Sequence, residues 1–344
     1  MIKVVLCGAG DLLKRTLSFL RENVHVVAIA DNDTSKQGKK YRGIPIVNPT
    51  RLSSIEYDYI VISNERYLEE IVRQLDSIGI MRQTVLPIYN YDYFDKTVDR
   101  KIKSILNLNG YLSICRKHVM EKQIFFPDLL GVITNPYYFS RRGLWKSIEE
   151  NKKYISGRCL DFGCGTKPYE RLFNVDEYIG VEIEGSGNRK DIVYYDGRHI
   201  PFPDESFDSI ICSEVFEHIP NLDEIVDELK RVLKKGGYMV VTVPFAYPEH
   251  CIPYDFRRFS SFGIEELAKE HNLSIVHQEK VGSFMNSISQ MNGVFINEKL
   301  TDHYGMKYVK KGLIVLNNVC GIINDKLLPK DYDLYLDNSV VYKK

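Results

Sequence analysis

Two glycines and two acidic residues form the first group in this chain whose spacing suggests chemistry. Asp161 lies in the apolar run 158–162, Gly163 and Gly165 follow it, and Glu182 ends the next predicted strand 21 positions after Asp161. Glycines let backbone N–H groups approach a ligand without a Cβ in the way. Carboxylates at the carboxyl ends of adjacent parallel strands can accept hydrogen bonds from ribose hydroxyls. The spacing therefore predicts a nucleotide-type cofactor site at one edge of a parallel sheet.

A second group of reactive side chains lies between positions 243 and 260, directly after another predicted strand. It combines two carboxylates, an imidazole and two guanidiniums: Glu249, His250, Asp255, Arg257 and Arg258. An imidazole held by a carboxylate can accept a proton from a hydroxyl group. We therefore predict that His250 is a general base and that Glu249 or Asp255 orients it.

The arginines of this segment predict a role in binding an anion. Guanidinium groups bind phosphate or carboxylate through two parallel hydrogen bonds. Arg257 or Arg258, together with Tyr254, is therefore predicted to contact the acceptor. The alternative is an ion pair between Asp255 and Arg258 that only shapes the loop.

These residues can meet only if parallel strands carry them to the same edge. The apolar runs 158–162 and 207–212, with helical patterns between strands, predict a parallel α/β sheet. Glu217 and His218 precede a helical pattern with one apolar face, formed by Leu222, Ile225, Val226, Leu229 and Leu233. His218 is predicted to lie at the mouth of the site, where it either transfers a proton or fixes the start of the helix.

The order of motifs between residues 160 and 244 resembles that of the class I S-adenosylmethionine-dependent methyltransferases. Asp196-Gly197, Ser213-Glu214 and Lys235-Gly236-Gly237 follow Glu182 in that order. The resemblance implies a seven-stranded sheet with S-adenosylmethionine as the cofactor. It implies that Gly163 and Gly165 approach the methionine part, that Glu182 holds the ribose, and that Asp196 contacts the adenine amino group. It also implies that the cofactor is bordered by Asp161, Cys164, Gly197, Ser213 and Glu214.

The segment 1–93 carries an independent α/β signal. Gly8 and Gly10 follow a strand pattern, and Asp31 ends the next strand 21 residues after Gly10. This segment resembles the Rossmann-like domain of polysaccharide-biosynthesis epimerases and dehydratases and of some sugar acetyltransferases. Leu13 occupies the place of the third glycine of the dinucleotide fingerprint. The segment is therefore predicted either to bind a nucleotide or nucleotide-sugar through Gly8, Gly10 and Asp31, or to be a structural or oligomerisation module.

Residues 94–150 are predicted to form a helical connector and lid, and residues 151–344 a methyltransferase domain with a helical insertion at about 284–330. A closing antiparallel strand is predicted from Asp333 to Val341. The string 135–145 resembles the lead-in of a methyltransferase subgroup that often occurs with surface-polysaccharide genes. Arg141 and Arg142 in this string are predicted to contact an anionic acceptor. Apolar residues at helical spacing from Met285 to Phe295 predict core or homodimer contacts.

The composition argues against several other classes of protein. The 46 basic residues balance the 46 acidic ones, so no nucleic-acid partner is expected. The seven cysteines include no CxxC pair, and His199, His218 and His250 show no ligand spacing along the chain. Reduced cytoplasmic thiols and no metal site are therefore expected. We also expect no cleavable signal and no integral membrane segment, since no apolar run approaches about 20 residues.

Together these features predict a bacterial, cytoplasmic methyltransferase that uses S-adenosylmethionine to methylate an oxygen of a sugar or glycan intermediate in surface-polysaccharide synthesis. One alternative is a nucleotide-sugar oxidoreductase or epimerase that uses the N-terminal domain. Leu13 and the lack of a YxxxK motif in that half argue against it. The other alternative is a non-catalytic scaffold whose methyltransferase-like half binds a metabolite or a partner.

Overall fold

The computed structural model describes residues 1–10, 12–64, 68–89, 96–187, 189, 191–301 and 306–344. These residues form two compact units, Met1–Glu121 and Lys122–Lys344. Each unit has its own sheet with apolar clusters of buried side chains. The predicted fold class, two α/β domains built on parallel sheets, is confirmed.

The described part of the first unit contains a six-stranded sheet in the order β3-β4-β2-β1-β5-β6. Its strands are β1 (Ile2–Cys7), β2 (Val24–Ala30), β3 (Lys40–Tyr41), β4 (Ile44–Val47), β5 (Tyr59–Ile62) and β6 (Val85–Leu86). Neighbouring strands are parallel except β3 and β4, which are antiparallel. The helices are α1 (Leu13–Phe19), α2 (Leu68–Ser77), α3 (Lys96–Ile105) and α4 (Leu108–Phe125).

Alternating residues of β1 point to opposite faces of this sheet. Val4 and Leu6 join one buried cluster together with Leu13 of α1, whereas Val5 and Cys7 join the cluster on the other face. Leu13 is 2% exposed. The side chain that replaces the third fingerprint glycine therefore fills the core on the α1 side of the sheet.

The second unit contains a seven-stranded sheet, as predicted. Its strands are β7 (Arg158–Phe162), β8 (Glu177–Ile183), β9 (Ile192–Tyr195), β10 (Phe207–Ser213), β11 (Leu233–Pro244), β12 (Ser274–Val281) and β13 (Asp337–Lys343). Its helices are α5 (Gly131–Thr134), α6 (Tyr138–Asn151), α7 (Leu222–Val232), α8 (Ser261–Glu270), α9 (Phe284–Lys299) and α10 (Met306–Leu327).

The strand order of this sheet is β12-β13-β11-β10-β7-β8-β9, and β13 is antiparallel to both of its neighbours. The order changes direction between β7 and β10, which lie side by side. Loops that leave these two strands diverge, so their carboxyl ends border a crevice in which α/β sheets bind ligands. The predicted apolar face of α7 packs on the sheet, since Ile225, Val226 and Leu229 are all 0% exposed.

The helices of the predicted connector 94–150 contribute to both units. Ile102 of α3 and Ile114 of α4 belong to a buried cluster of the first unit, whereas Ile148 of α6 belongs to one of the second. Amphipathic helices bury their apolar face on the nearest sheet, and that choice depends on contacts distant in sequence. The boundary between the two compact units falls between residues 121 and 122, within α4, and the three-part division of the chain stays a prediction.

The predicted helical insertion before the last strand is confirmed as α9 and α10. Of its apolar residues, Met291 packs against a buried cluster, while Ile288 and Phe295 are exposed. The last strand begins at Asp337, four residues later than the predicted start at Asp333. Within the described ranges, none of the helices is long and apolar enough to cross a membrane.

Candidate active site

A cavity of about 370 Å³ lies beside the carboxyl ends of β7, β8, β9 and β10. Its walls include Gly163, Glu182, Tyr195, Gly197, Glu214 and His218. Five of these six residues, all except Tyr195, were predicted from the sequence as site residues. The cavity therefore lies at the sheet edge where the glycines and acids predicted a ligand.

The turn after β7 requires glycine at its first position. Gly163 has φ +70°, and a Cβ there would lie 2.4 Å from Cγ2 of Val215. Gly165 has φ +50°, and nothing lies within 4 Å of the position its Cβ would take. Because both residues adopt left-handed backbone, the turn runs close to the cavity wall without side chains in the way.

Glu182 at the end of β8 is joined to this turn. The N–H of Gly165 donates a hydrogen bond to Oε1 of Glu182 at 2.6 Å, and Arg189 Nη1 donates to the Gly165 carbonyl at 3.0 Å. The carboxylate also lines the cavity. One residue therefore fixes the turn and presents acceptor oxygens to a ligand.

Asp161 and Cys164 flank the turn but do not line the cavity. Asp161 is 5% exposed and accepts a hydrogen bond from the Tyr178 hydroxyl at 2.7 Å. Burial raises the pKa of Asp161 to about 7 and that of the Cys164 thiol to about 12. Both side chains support the β7–β8 junction, and their contact with a cofactor stays a prediction.

Asp196 shapes the turn that follows β9. Its Oδ1 accepts hydrogen bonds from the backbone N–H groups of His199 at 2.7 Å and Arg198 at 2.8 Å, and these bonds hold the pKa of Asp196 below its usual value. Gly197 in this turn has φ +86° and lines the cavity. Ser213, the last residue of β10, shares a hydrogen bond of 2.8 Å with the Thr242 hydroxyl.

Three carboxyl groups with buried oxygen atoms lie at this edge of the sheet, and sequence reasoning missed one of them. Glu214 and Glu217 follow β10, and Asp337 pairs in register with Pro244 at the end of β11. Glu217 is 0% exposed and Asp337 is 1% exposed. Burial raises the pKa of all three carboxyls. This edge of the sheet therefore retains protons at a pH where exposed carboxylates are ionised.

His250 lies after β11 and is paired with Asp255. The imidazole Nδ1 is 3.3 Å from Asp255 Oδ2, and the backbone N–H of His250 donates to the same oxygen at 2.9 Å. Burial lowers the pKa of His250, and the hydrogen bond from Arg258 holds the pKa of Asp255 well below its usual range. Of the two predicted orienting partners, the structure places Asp255 at His250, while Glu249 is exposed. A neutral imidazole beside an ionised carboxylate is arranged to accept a proton.

The two arginines of this loop hold protein groups. Arg258 donates to the two carboxylate oxygens of Asp255 at 2.6 and 2.7 Å. Arg257 donates to the backbone carbonyls of Ile219 and Pro220. The structure therefore shows the loop-shaping ion pair that was the alternative to acceptor binding. Contact of either arginine with an acceptor stays a prediction.

The two arginines of α6 differ in their surroundings. Arg142 Nη1 donates to the Pro127 carbonyl at 2.8 Å. The Arg141 guanidinium lies over the Phe125 ring, 5.2 Å from its centroid, and its charge favours the ionised forms of Glu214 and Asp337. Of the four predicted arginines, Arg141 and Arg258 are therefore the ones whose charges act on these carboxyl groups.

His218 meets His250 although the two are 32 positions apart. Their ring centroids are 4.8 Å apart, and His218 Nδ1 is 2.5 Å from the backbone carbonyl of Tyr254, whose side chain is 64% exposed. Ligating atoms of His218, His250 and Cys251 all lie within 4.8 Å of one another. The expectation of no metal site considered spacing along the chain and missed this cluster, because the loop after β11 folds back onto the end of β10.

A second cavity, of about 380 Å³, lies in the first unit and is lined by Gly8, Gly10, Asp31 and Lys36 among others. Gly8 has φ +105°. Asp31 accepts hydrogen bonds from the backbone N–H groups of Ala9 at 2.6 Å and Asp33 at 2.8 Å. The three residues predicted for this site therefore line one cavity, and the carboxylate also fixes the glycine turn.

Two family models match the chain, one in each unit. The model described as "Methyltransferase domain" matches residues 160–241. The model described as "C2185-like, N-terminal" matches residues 1–86. The first match spans β7 to β11, including the glycine turn and Glu182. Residues 160–241 of the second unit are thus similar to a methyltransferase domain, and the predicted α/β fold with a seven-stranded sheet is confirmed.

Curated relatives match part of this domain. An uncharacterized protein of Methanocaldococcus jannaschii is 34% identical over 110 residues, which are 29% of this chain and 52% of that protein. A phosphatidylethanolamine N-methyltransferase of Cereibacter sphaeroides is 31% identical over 28% of this chain and 53% of its own length. A fatty-acid O-methyltransferase of Mycolicibacterium smegmatis is 32% identical over 28% of this chain and 39% of its own length. The chain spans about half the length of these relatives or less.

Among solved structures, a SAM dependent methyltransferase from Archaeoglobus fulgidus is 16% identical to this chain. The likeness covers 66% of this chain and 99% of that one, with a TM-score of 0.38.

Proposed function

We propose that the chain transfers the methyl group of S-adenosylmethionine to a hydroxyl oxygen of a sugar or glycan intermediate in bacterial surface-polysaccharide synthesis. The observation that carries the proposal is the cavity of about 370 Å³ in which Gly163 and Glu182 meet at the strand ends. The methyltransferase-domain match covers both residues. The names of the relatives support methyl transfer, whereas the acceptor class rests on the chemistry of this chain.

In this proposal the cavity holds S-adenosylmethionine, which the residues present fit. Glu182 accepts hydrogen bonds from the ribose hydroxyls, and the backbone at Gly163 and Gly165 accommodates the methionine part. Asp196 contacts the adenine amino group, and Gly197 allows the ring to approach the turn after β9. Open space beside Gly165 supports this placement. No atom lies within 4 Å of the position that a Cβ of Gly165 would take, so the space is available to a ligand.

The catalytic step requires alignment and removal of one proton. The cofactor supplies a methyl carbon whose bond to sulfur breaks, with the electron pair left on sulfur, as the new carbon–oxygen bond forms. His250 accepts the proton that the acceptor hydroxyl loses, and Asp255 holds the imidazole by its Nδ1 side. His218 lines the same cavity and lies against His250, which places the proton acceptor near the cofactor site.

A polar acceptor suits the surroundings of this site better than a hydrocarbon does. Glu214 lines the cavity, and its Oε1 atom lacks a hydrogen-bond partner among the described residues. An apolar acceptor would leave this atom unpaired, at a cost of about 1–3 kcal/mol. A molecule with several hydroxyl groups can pair with a protonated carboxyl, which both donates and accepts hydrogen bonds.

A methyl-transfer assay tests the proposal. The full chain is incubated with S-adenosylmethionine labelled in its methyl group and, in separate reactions, with nucleotide sugars, repeat-unit oligosaccharides, a fatty acid and phosphatidylethanolamine. We expect label in a sugar-containing acceptor as an O-methyl ether. Label in the lipids alone would contradict the acceptor class, and no transfer by a chain that binds the cofactor would contradict catalysis.

Two further predictions concern the first unit and the location of the protein. The first unit is proposed to bind a nucleotide or nucleotide-sugar; the cavity at Gly8, Gly10 and Asp31 supports this, and calorimetry with nucleotide sugars tests it. The protein is proposed to be cytoplasmic.

A third prediction is that the chain forms a homodimer, which a mass measurement in solution tests. An exposed apolar stripe on α10 with alternating spacings of four and three supports the dimer; its members are Val309, Leu313, Leu316, Cys320, Ile323 and Leu327.

A further inference from the structure

The cluster of His218, His250 and Cys251 adjoins the cofactor cavity through His218 and contains two imidazoles and one thiol, side chains that bind transition metals. One ligating atom from each lies within 4.8 Å of the other two. In a tetrahedral zinc site with bonds of about 2.0 Å to nitrogen and 2.3 Å to sulfur, the ligand atoms lie roughly 3.3–3.8 Å apart. Bringing these three atoms to that spacing requires a movement of about 1 Å, to which rotation of the exposed Cys251 side chain contributes.

Both imidazoles are held in the manner of metal ligands. His218 Nδ1 is 2.5 Å from the Tyr254 carbonyl, and His250 Nδ1 is 3.3 Å from Asp255 Oδ2. When Nδ1 carries the proton and donates to an oxygen, Nε2 keeps a lone pair for a metal ion. Histidines that ligate metals almost always have such a carbonyl or carboxylate behind them.

A buried carboxylate stands behind this cluster. Glu217 Oε1 is 3.6 Å from His218 Nε2, which is too long for a hydrogen bond. Neither carboxylate oxygen of Glu217 has a hydrogen-bond partner among the described residues, although the side chain is 0% exposed. A cation between these groups would give the buried carboxyl group of Glu217, which has no other partner among the described residues, a positive charge to pair with once it loses its proton.

Cys251 completes the set from the solvent side. The residue is exposed and has φ +52°, a backbone conformation that residues other than glycine and asparagine seldom adopt. This conformation places the cysteine next to two histidines from different parts of the chain.

We propose that His218, His250 and Cys251 bind one divalent transition-metal ion of the zinc type, with an open position toward the acceptor. Imidazole and thiolate together select zinc and its neighbours over magnesium or calcium. Binding of the ion does not depend on the proposed methyl transfer.

The metal ion and the proton-acceptor role of His250 use the same lone pair and therefore exclude each other. With the ion bound, the acceptor hydroxyl coordinates at the open position. The cation lowers the pKa of that hydroxyl, which then loses its proton to solvent at the mouth of the cavity. The ion would thus replace His250 in activating the acceptor.

Titration with Co²⁺ tests the metal site without measuring activity. The full chain is freed of metal with a chelator, and Co²⁺ is added while the absorbance is recorded. We expect one equivalent to bind, with a thiolate-to-cobalt charge-transfer band in the near ultraviolet and visible bands of a four-coordinate ion. Zn²⁺ is expected to displace the cobalt and abolish both sets of bands.

Two cysteine variants serve as test and control. Cys251→Ser is expected to abolish the charge-transfer band and weaken binding at least about 100-fold, since even loss of an outer partner of a ligand costs about 10- to 100-fold. Cys320→Ser, which alters an exposed cysteine on α10, is expected to bind as the wild type does. No binding of Co²⁺ by the folded chain, or an unchanged band in Cys251→Ser, would overturn the proposal. Binding of S-adenosylhomocysteine is measured separately, so failure of the metal site is distinguishable from failure of the proposed function.

Discussion

The pairing of His250 with Asp255 decides the pH range in which the imidazole can accept a proton. Burial lowers the pKa of His250 from 6.5, and the charge of Asp255 acts in the opposite direction but less strongly. The ionised form of Asp255 is itself secured by two hydrogen bonds from Arg258. The neutral, proton-accepting imidazole is therefore favoured at a lower pH than for an exposed histidine.

The pH profile of the metal-free chain tests this role. Because the neutral form is required and the pKa is lowered, kcat/KM is expected to fall on the acid side with a midpoint below pH 6.5. His250→Asn is expected to lower kcat by about 10² to 10⁴ and to remove this acid limb, with cofactor binding unchanged. His199→Asn, at an exposed histidine, is the matched control and should behave as the wild type. An acid limb that persists in His250→Asn would show that another group accepts the proton.

Individual residues of the site could be predicted where their partners are near in sequence. The pairing of His250 with Asp255 spans five positions, and the alternative ion pair of Asp255 with Arg258 spans three, so both were weighed from the sequence. Asp337 was missed because the groups that act on it, Glu214 and Glu217, follow β10 and lie more than 100 positions away. The polar run Asp337-Asn338-Ser339 at the start of a buried strand was the available signal.

At the scale of elements, the carboxyl ends of β10 and β11 concentrate buried acids. Glu217 has a raised pKa because it is buried and because Glu214 lies nearby. Above about pH 4.5, the ordinary pKa of a glutamate in the unfolded chain, Glu217 keeps its proton in the native state and loses it in the unfolded state. Stability must therefore fall as the pH rises through this window, by up to about 1.4 kcal/mol per pH unit for one carboxyl.

Glu217→Gln is expected to make this decline shallower. The amide keeps the size of the side chain but does not titrate, so its own packing effect is the same at every pH. Urea unfolding at a series of pH values from about 5 to about 7 measures the slope. Glu150→Gln, at an exposed glutamate of α6, is the control and should keep the wild-type slope. An equal slope in all three proteins would contradict a raised pKa at Glu217.

Helices and strands were predictable where periodicity decided them. The strand β7 and the apolar face of α7 follow from apolar patterns within a few residues. The start of β13 was placed four residues early because Tyr335 and Leu336 are as buried as the strand itself, although they lie outside its ladder. An apolar sequence pattern indicates which residues are buried, but it does not indicate which of them pair with a neighbouring strand.

At the scale of the whole molecule, two parallel sheets were predictable because each has its own alternation of strands and helices. The packing of the connector helices was not, because α3 and the beginning of α4 follow the first sheet in sequence and bury their apolar residues with it. The closeness of His218, His250 and Cys251 was also beyond prediction, since it depends on how the loop after β11 folds back.

The central claim is that the cavity at Gly163 and Glu182 binds S-adenosylmethionine, and calorimetry with S-adenosylhomocysteine tests it most directly. We expect micromolar binding by the wild type. Gly163→Ala places a Cβ 2.4 Å from Val215 in left-handed backbone and is expected to weaken binding at least about tenfold, or about 1.4 kcal/mol. Gly312→Ala, at a helical glycine with nothing within 4 Å, should leave binding unchanged.

Glu182→Gln provides a second variant if Gly163→Ala does not fold, and it is expected to weaken binding by a similar factor through loss of a charged acceptor for the ribose hydroxyls. We therefore expect tight binding by the wild type and Gly312→Ala and weak binding by Gly163→Ala and Glu182→Gln. A folded wild type that does not bind S-adenosylhomocysteine, or site variants that bind it as the wild type does, would contradict the account.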